Sequence, residues 1–269
     1  MQPAAHEHLW VEHAEGVVSV RLNRPAQRNA LSRALMRELT AFARDARHRS
    51  DVRVVIVSGS AGVFSAGSDL TEAAAGLANA DPPSLLEQRE ALALGPDLCQ
   101  AWEEIEAVTI AAIEGACLGG GLALALACDF RIAAANAVLR LPEVPLGMNM
   151  SWQSLPRLTA LIGPARAKRF TIFGDAPDAA TLLHWGLVDE VVAAGEVEAT
   201  ARAWAERVCK LPPLPVRMTK EAINAAAMPL RQATSLMDRD QFLLTAQSED
   251  LREGVRAFVE KRAPRFTGR

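Results

Sequence analysis

The sequence predicts an α/β protein whose strand-bearing core gives way to a helical carboxy-terminal extension. Three observations carry this. Val54-Val55-Ile56-Val57 and Thr109 to Ile113 are continuous apolar runs, the pattern of strands covered on both faces. Each is followed by a glycine-bearing loop, Ser65-Ala66-Gly67-Ser68-Asp69 and Gly115 to Gly121 respectively. Strand patterns then stop near Leu141, and helical spacing dominates from Trp152 onward.

The elements follow in order. Leu9 to Asn23 reads as two short strands joined at Glu15-Gly16, because Val18, Val20 and Leu22 alternate with polar residues. Ser32 to His48 is helical: Leu31, Leu35, Leu39 and Phe42 recur every three or four residues, and Ser32 can accept from the first turn as N-cap. The strand at 53–59 ends at Gly59. The stretch Thr71 to Pro83, rich in Ala with one Gly and an Asp-Pro-Pro run, reads as mobile. One helix is expected over Leu85 to Glu106, then the strand at Thr109. The second glycine loop opens a short apolar helix reaching Cys128, and Phe130 to Leu141 reads as strand, turn, strand. A short strand is expected at Val188 to Val192. Ser248 caps the last helix, with Glu249 and Asp250 in its first turn and Lys261 and Arg262 in its last, all favoured by the helix dipole. Leu251, Val255, Phe258 and Val259 form its apolar stripe.

Composition excludes several classes of function. Half of the 269 residues are apolar and 23% are charged, which rules out disorder as the main state. A net charge of −3 with dispersed basic residues gives no case for nucleic acid. The longest uncharged apolar stretch, Gly115 to Cys128, falls short of the roughly 18 residues a membrane span needs. The amino terminus has no secretory pattern, and Cys99, Cys117, Cys128 and Cys209 lack C-x-x-C pairing. They read as core thiols in a reducing cytoplasm, and no metal site is expected. On an alternating strand His6 and His8 would share a face, but with no acidic or Cys cluster nearby they read as a solvated tail. There is no P-loop and no G-x-S-x-G elbow, and Gly119-Gly120-Gly121 lacks the third glycine of a dinucleotide fingerprint. The absence of Tyr excludes a phenol as proton carrier.

The two glycine loops carry the chemistry. Each presents backbone N–H groups at a helix start, where they have no intrahelical partner and favour negative charge. One such loop is usually only a turn. Two in tandem could supply two donors to one oxygen, an oxyanion hole for an enolate or acyl anion. A carboxylate follows in Leu141-Pro142-Glu143-Val144-Pro145-Leu146-Gly147. Apolar surroundings raise a carboxylate's pKa and suit it to proton transfer near neutrality, although a single Glu in a turn is as a rule solvated.

The order and spacing of these motifs resemble the enoyl-CoA hydratase/isomerase (crotonase) superfamily. The matching stretches are Leu22-Asn23-Arg24-Pro25 with Arg28-Asn29-Ala30-Leu31, Phe64 to Asp69, Gly115 with Gly119-Gly120-Gly121, Ala127-Cys128-Asp129 and Pro142-Glu143-Val144. Trp185-Gly186-Leu187-Val188, Lys220-Glu221-Ala222 and Phe258 to Arg262 extend the match to nearly the whole chain. The resemblance implies a crotonase-like spiral of β-β-α turns over residues 1–195 that binds acyl-CoA. Residues 196–269 would form a helical extension for oligomerisation, as a homotrimer or dimer of trimers, and for pocket closure. It implies a thioester carbonyl polarised by the N–H groups of Ser68 and Gly120. Arg28, Ala30, Ala66, Ser68, Asp69, Leu70, Gly120 and Lys261 fall at positions that hold coenzyme A. No tightly bound cofactor is implied; coenzyme A enters as part of the substrate thioester. Arg28 and Lys261 read equally well as solvated surface charges.

The chain departs from the family pattern at one acid. Related hydratases carry two glutamates, one matching Glu143 and one at the position of Ala123. With Ala123 in place of the second acid, the resemblance implies double-bond isomerisation with Glu143 as single acid/base in preference to hydration. A genuine 2-enoyl-CoA hydratase holding water by other groups and a non-catalytic acyl-CoA-binding protein remain the alternatives. Glu114, Asp69 and Asp129 read as structural. Met148 to Gln153 replaces a glycine-rich turn with bulkier apolar residues, while Asn149 or Ser151 could position a substrate group or water.

Overall fold

The computed structural model describes residues 6–69, 72, 83–227 and 231–269, with 231–236 described as helix backbone. Its centre is a six-stranded sheet. Strands β1 (Leu9–Ala14) and β2 (Val17–Leu22) pair antiparallel. All later neighbours are parallel: β2 with β3 (Val54–Gly59), β3 with β4 (Val108–Ile113), β4 with β6 (Phe130–Ala134), and β6 with β8 (Glu190–Val192). The residues of β4 are all buried, as are those of β3 except Gly59, which accounts for their unbroken apolar sequences. A second, two-stranded parallel sheet joins β5 (Ala116–Leu118) to β7 (Val138–Arg140).

Helices cover this frame. Helix α1 (Arg33–Ala46) starts where the Ser32 side chain accepts from the Leu35 N–H, and packs on α3 (Leu94–Glu103). Helix α2 (Leu85–Ala91) precedes α3. The single helix expected over Leu85 to Glu106 is therefore two. Pro96 explains the break: it has no N–H to give the Leu92 carbonyl, and its ring would clash there. Short α4 (Gly120–Leu126) is wholly buried. Helix α5 (Ser154–Phe173) kinks at Gly163-Pro164, where Gly163 is non-helical. After α6 (Ala179–Trp185), α7 (Val197–Cys209) lies against β3, β4 and β6, so packing on the sheet continues past residue 195. Helices α8 (Pro213–Ala227), α9 (Arg231–Ala246) and α10 (Glu249–Glu260) complete the chain.

Phe130 to Leu141 is strand, turn, strand as expected, with β6 and β7 in different sheets. One further reading needs correction: the stripe of α10 divides. Leu251, Gly254 and Ala257 face inward, whereas Val255, Phe258 and Val259 are exposed in this chain. Strand β5 was absent from the sequence reading because three residues between glycines show no period. The helix expected after Asp69 and most of the stretch from Thr71 to Pro83 lie outside the described residues. Among the described residues no helix is long and apolar enough to cross a membrane.

Candidate active site

Both glycine loops hang on β5. The Ser65 N–H donates to the Ala116 carbonyl (2.9 Å), and the Leu118 N–H returns to the Ser65 carbonyl (3.0 Å). On the other side, the Leu31 N–H donates to Gly67 O (2.8 Å) and the Asp69 N–H to Leu31 O (3.2 Å). Successive amides of an extended segment point to opposite sides. The Ser68 N–H is thereby turned away from Leu31, and it has no acceptor among the described residues. Gly120 is the first residue of α4, and its N–H is likewise without an acceptor among them. The loops touch: a methyl added to Gly67 would stand 3.6 Å from the Gly120 nitrogen.

Gly119 directs this turn. Its φ of 48° and ψ of −118° favour glycine, and its N–H donates to the Arg140 carbonyl at the end of β7 (2.9 Å). Two residues beyond Leu141, Glu143 opens the 3-10 turn Val144–Leu146, its carbonyl accepting from Leu146 (3.0 Å) and Met148 (2.9 Å). Its side chain reaches back over Gly119, where an added methyl would lie 2.6 Å from Oε1. As a residue Glu143 is partly exposed, but Oε2 is buried and has no hydrogen-bond partner among the described residues. Burial pushes this carboxyl up to about 7, against smaller opposing effects of its own backbone N–H and Arg140.

The indole of Trp152 closes one side. A methyl on Gly120 would lie 2.6 Å from its benzo edge, and a methyl on Gly95 of α3 would also collide with it. Trp152 (φ 66°) and Gln153 (φ 54°) are both left-handed, an uncommon conformation for a bulky residue. The turn is clamped to hold it. Arg157 Nη1 donates to the Trp152 carbonyl (3.1 Å) and the Gln153 carbonyl (3.0 Å), and its guanidinium pairs with Glu103 inside the protein. Asp238 of α9 accepts from the Ser151 hydroxyl (2.7 Å) and the Gln153 N–H (3.3 Å). Asn149 and Ser151, read as candidates for holding a substrate group or water, instead dock this turn on α9: the Asn149 N–H donates to Thr245 Oγ1 (3.1 Å).

The structure brings Ser68, Gly120 and Glu143 together and sets several of the remaining candidates beside them. Exposed Arg28 is left-handed, and its carbonyl accepts from the Ala66 N–H (3.0 Å). Arg24 donates to the carbonyl of buried Ala30 and pairs with Asp69 (3.0 Å). Leu70 lies outside the described residues. Lys261 closes α10, exposed, about 10 Å along the helix from Gly254. Glu114 accepts from the Gly195 N–H (3.1 Å), and Asp129 accepts from the Thr109 N–H and Lys220 (both 2.7 Å). Both are structural anchors.

Sequence reasoning missed two supports. Asn29 is fully buried, its Nδ2 donating to Ser60 O (2.9 Å) and Val63 O (2.6 Å) while Oδ1 accepts from the Arg24 N–H (3.0 Å). The Glu103–Arg157 pair was missed as well. Gly95, beside a proline within a helical pattern, was the available signal that something approaches α3 closely.

The family model described as enoyl-CoA hydratase/isomerase matches residues 12–269. A probable enoyl-CoA hydratase of Mycobacterium tuberculosis is 38% identical over 267 residues, covering 98% of this chain and 99% of that one. A 2,3-dehydroadipyl-CoA hydratase of Escherichia coli is 33% identical over 264 residues, covering 97% and 99%. An enoyl-CoA hydratase structure from Mycobacterium avium subsp. paratuberculosis superposes with a TM-score of 0.86 at 27% identity, over 98% of this chain and 100% of that one. The shared spiral, the match along almost the full length and the pairing of two glycine loops with a buried glutamate converge: the chain belongs to the enoyl-CoA hydratase/isomerase family.

Proposed function

We propose that this protein moves a double bond within an acyl-CoA thioester by one-base chemistry. The carrying observation is Glu143, whose buried Oε2 has no partner among the described residues and whose carboxyl titrates near neutrality beside Gly119. The thioester oxygen accepts from the Ser68 and Gly120 N–H groups. The Glu143 carboxylate takes a proton from C2 of a 3-enoyl thioester, and the electron pair moves into a dienolate stabilised at that oxygen. The protonated Glu143 then returns its proton to C4, giving the 2-enoyl thioester and regenerating the carboxylate. Ala123, fully buried on α4, supplies no second acid.

Arg28, Ala30, Ala66, Asp69, Leu70 and Lys261 are the proposed contacts for coenzyme A, which comes and goes with the substrate. The exposed Val255, Phe258 and Val259 support assembly into a trimer or a dimer of trimers. Hydration is the second reading, favoured by relatives named as hydratases; it requires other groups to hold the water.

The test assays purified protein on a 3-enoyl-CoA and on crotonyl-CoA. Isomerisation should dominate and Glu143→Gln should abolish it. Fast crotonyl-CoA hydration by the wild type would favour the second reading, and turnover retained by Glu143→Gln would remove Glu143 from the mechanism.

A further inference from the structure

We propose that Trp152 restricts this site to a single acid/base, because its indole takes the volume that a second carboxylate side chain at position 123 would need. The proposal rests on the one-base reading above and adds a physical reason for it. Gly120 and residue 123 lie three apart on α4, so they share a helix face, with Cβ positions about 5–6 Å apart. The benzo edge of Trp152 already lies against the Gly120 end of that face, and Ala123 has no exposure at all. A glutamate's carboxylate extends about 4 Å beyond Cβ, into the space on that face next to the indole.

The indole is not free to yield. Arg157, itself fixed by Glu103, holds the Trp152 carbonyl, and Asp238 holds the residues on either side. These contacts keep a bulky residue left-handed, a backbone state it does not favour alone. Gly95 leaves room for the ring on α3. Trp152 is thus a specificity-determining residue for the reaction type.

A steric cycle and an activity cycle test this in the full chain. Ala123→Met should lower Tm by about 5 °C beside Trp152 and by less than half as much in the Trp152→Ala background. Trp152→Phe serves in the same way if Trp152→Ala folds poorly, since it withdraws the benzo edge. For crotonyl-CoA hydration, Ala123→Glu alone should remain within about twofold of wild type, and Ala123→Glu with Trp152→Ala should exceed either single variant by about tenfold, a modest return for general acid–base help. Additive Tm changes, or a double variant no faster than Ala123→Glu, would overturn the proposal. The Tm cycle needs no turnover. Additive changes with intact 3-enoyl-CoA isomerisation therefore sink only the role of Trp152, whereas coupled changes in a protein that does not isomerise sink only the one-base reading.

Discussion

Replacing Glu143 by Gln should stabilise the protein, and the gain should depend on pH. The Glu143 carboxyl is raised from 4.5 to about 7 by burial. A group whose folded pKa lies above its unfolded value binds its proton more tightly in the folded state. Its contribution to stability is fully present below about pH 4.5 and is lost as pH rises through about 7. The shift corresponds to about 3 kcal/mol by pH 8, at 1.36 kcal/mol per unit. Gln is neutral throughout and escapes this loss. At roughly 2–4 °C per kcal/mol for a chain of this size, Glu143→Gln should gain about 6–12 °C in Tm over wild type between pH 4 and pH 8. The comparison uses the change across pH, because any cost of placing an amide against Gly119 is the same at both ends, and other titrating groups cancel between the two proteins. Thermal melts at five or six pH values suffice. A Tm difference that stays flat from pH 4 to pH 8 would refute the reasoning, since it would mean that Glu143 is solvated and titrates normally.

Three further outcomes follow from the geometry. Isomerisation kcat/KM should rise with pH to a plateau with an apparent pKa near 7, since the base must be ionised; a profile flat from pH 5 to 8 would contradict this. Gly119→Ala should destabilise by about 1–3 kcal/mol in chemical denaturation and lower kcat, because the backbone there favours glycine and the methyl meets Glu143 Oε1; wild-type midpoint and rate would argue against that contact. Arg157→Met should cost about 3–5 kcal/mol by removing the guanidinium that pairs with buried Glu103, and the added change Glu103→Leu should recover most of it; equal losses in the single and double variants would show that the charge is not the cause.

Much of the frame was legible because its signals are local. Alternation at Val18, Val20 and Leu22, unbroken apolar runs at 54–57 and 109–113, and serine caps at Ser32 and Ser248 each depend on a few neighbouring residues. The candidate site was legible only where backbone does the work: two glycine loops and a proline-flanked glutamate keep their places along the chain. What holds them was not. The clamp on Trp152 draws on Glu103, Arg157 and Asp238, which come from α3, α5 and α9, and no periodicity records such a meeting. The break before α3 was missed because the apolar spacing from Leu85 onward outweighed Pro96. The outward turn of Phe258 and Val259 was missed because an apolar stripe in sequence does not say which chain covers it.

Strand β5 is only three residues long, yet the Ser68 loop, the Gly120 turn and, through β7, Glu143 are all suspended from it. Its central residue, Cys117, is fully buried. The proposed oxyanion donors and proton carrier therefore share a single mechanical joint. If the joint opens, they separate together, so intermediate states with a competent hole but a misplaced base have no structural means of persisting. Thermal inactivation should then follow one cooperative step, and the amides of Cys117 and Leu118 should lose protection from hydrogen exchange in that same step. The reaction performed can change with the side chains attached to the joint, while the spacing between its parts is kept by peptide hydrogen bonds that do not depend on those side chains.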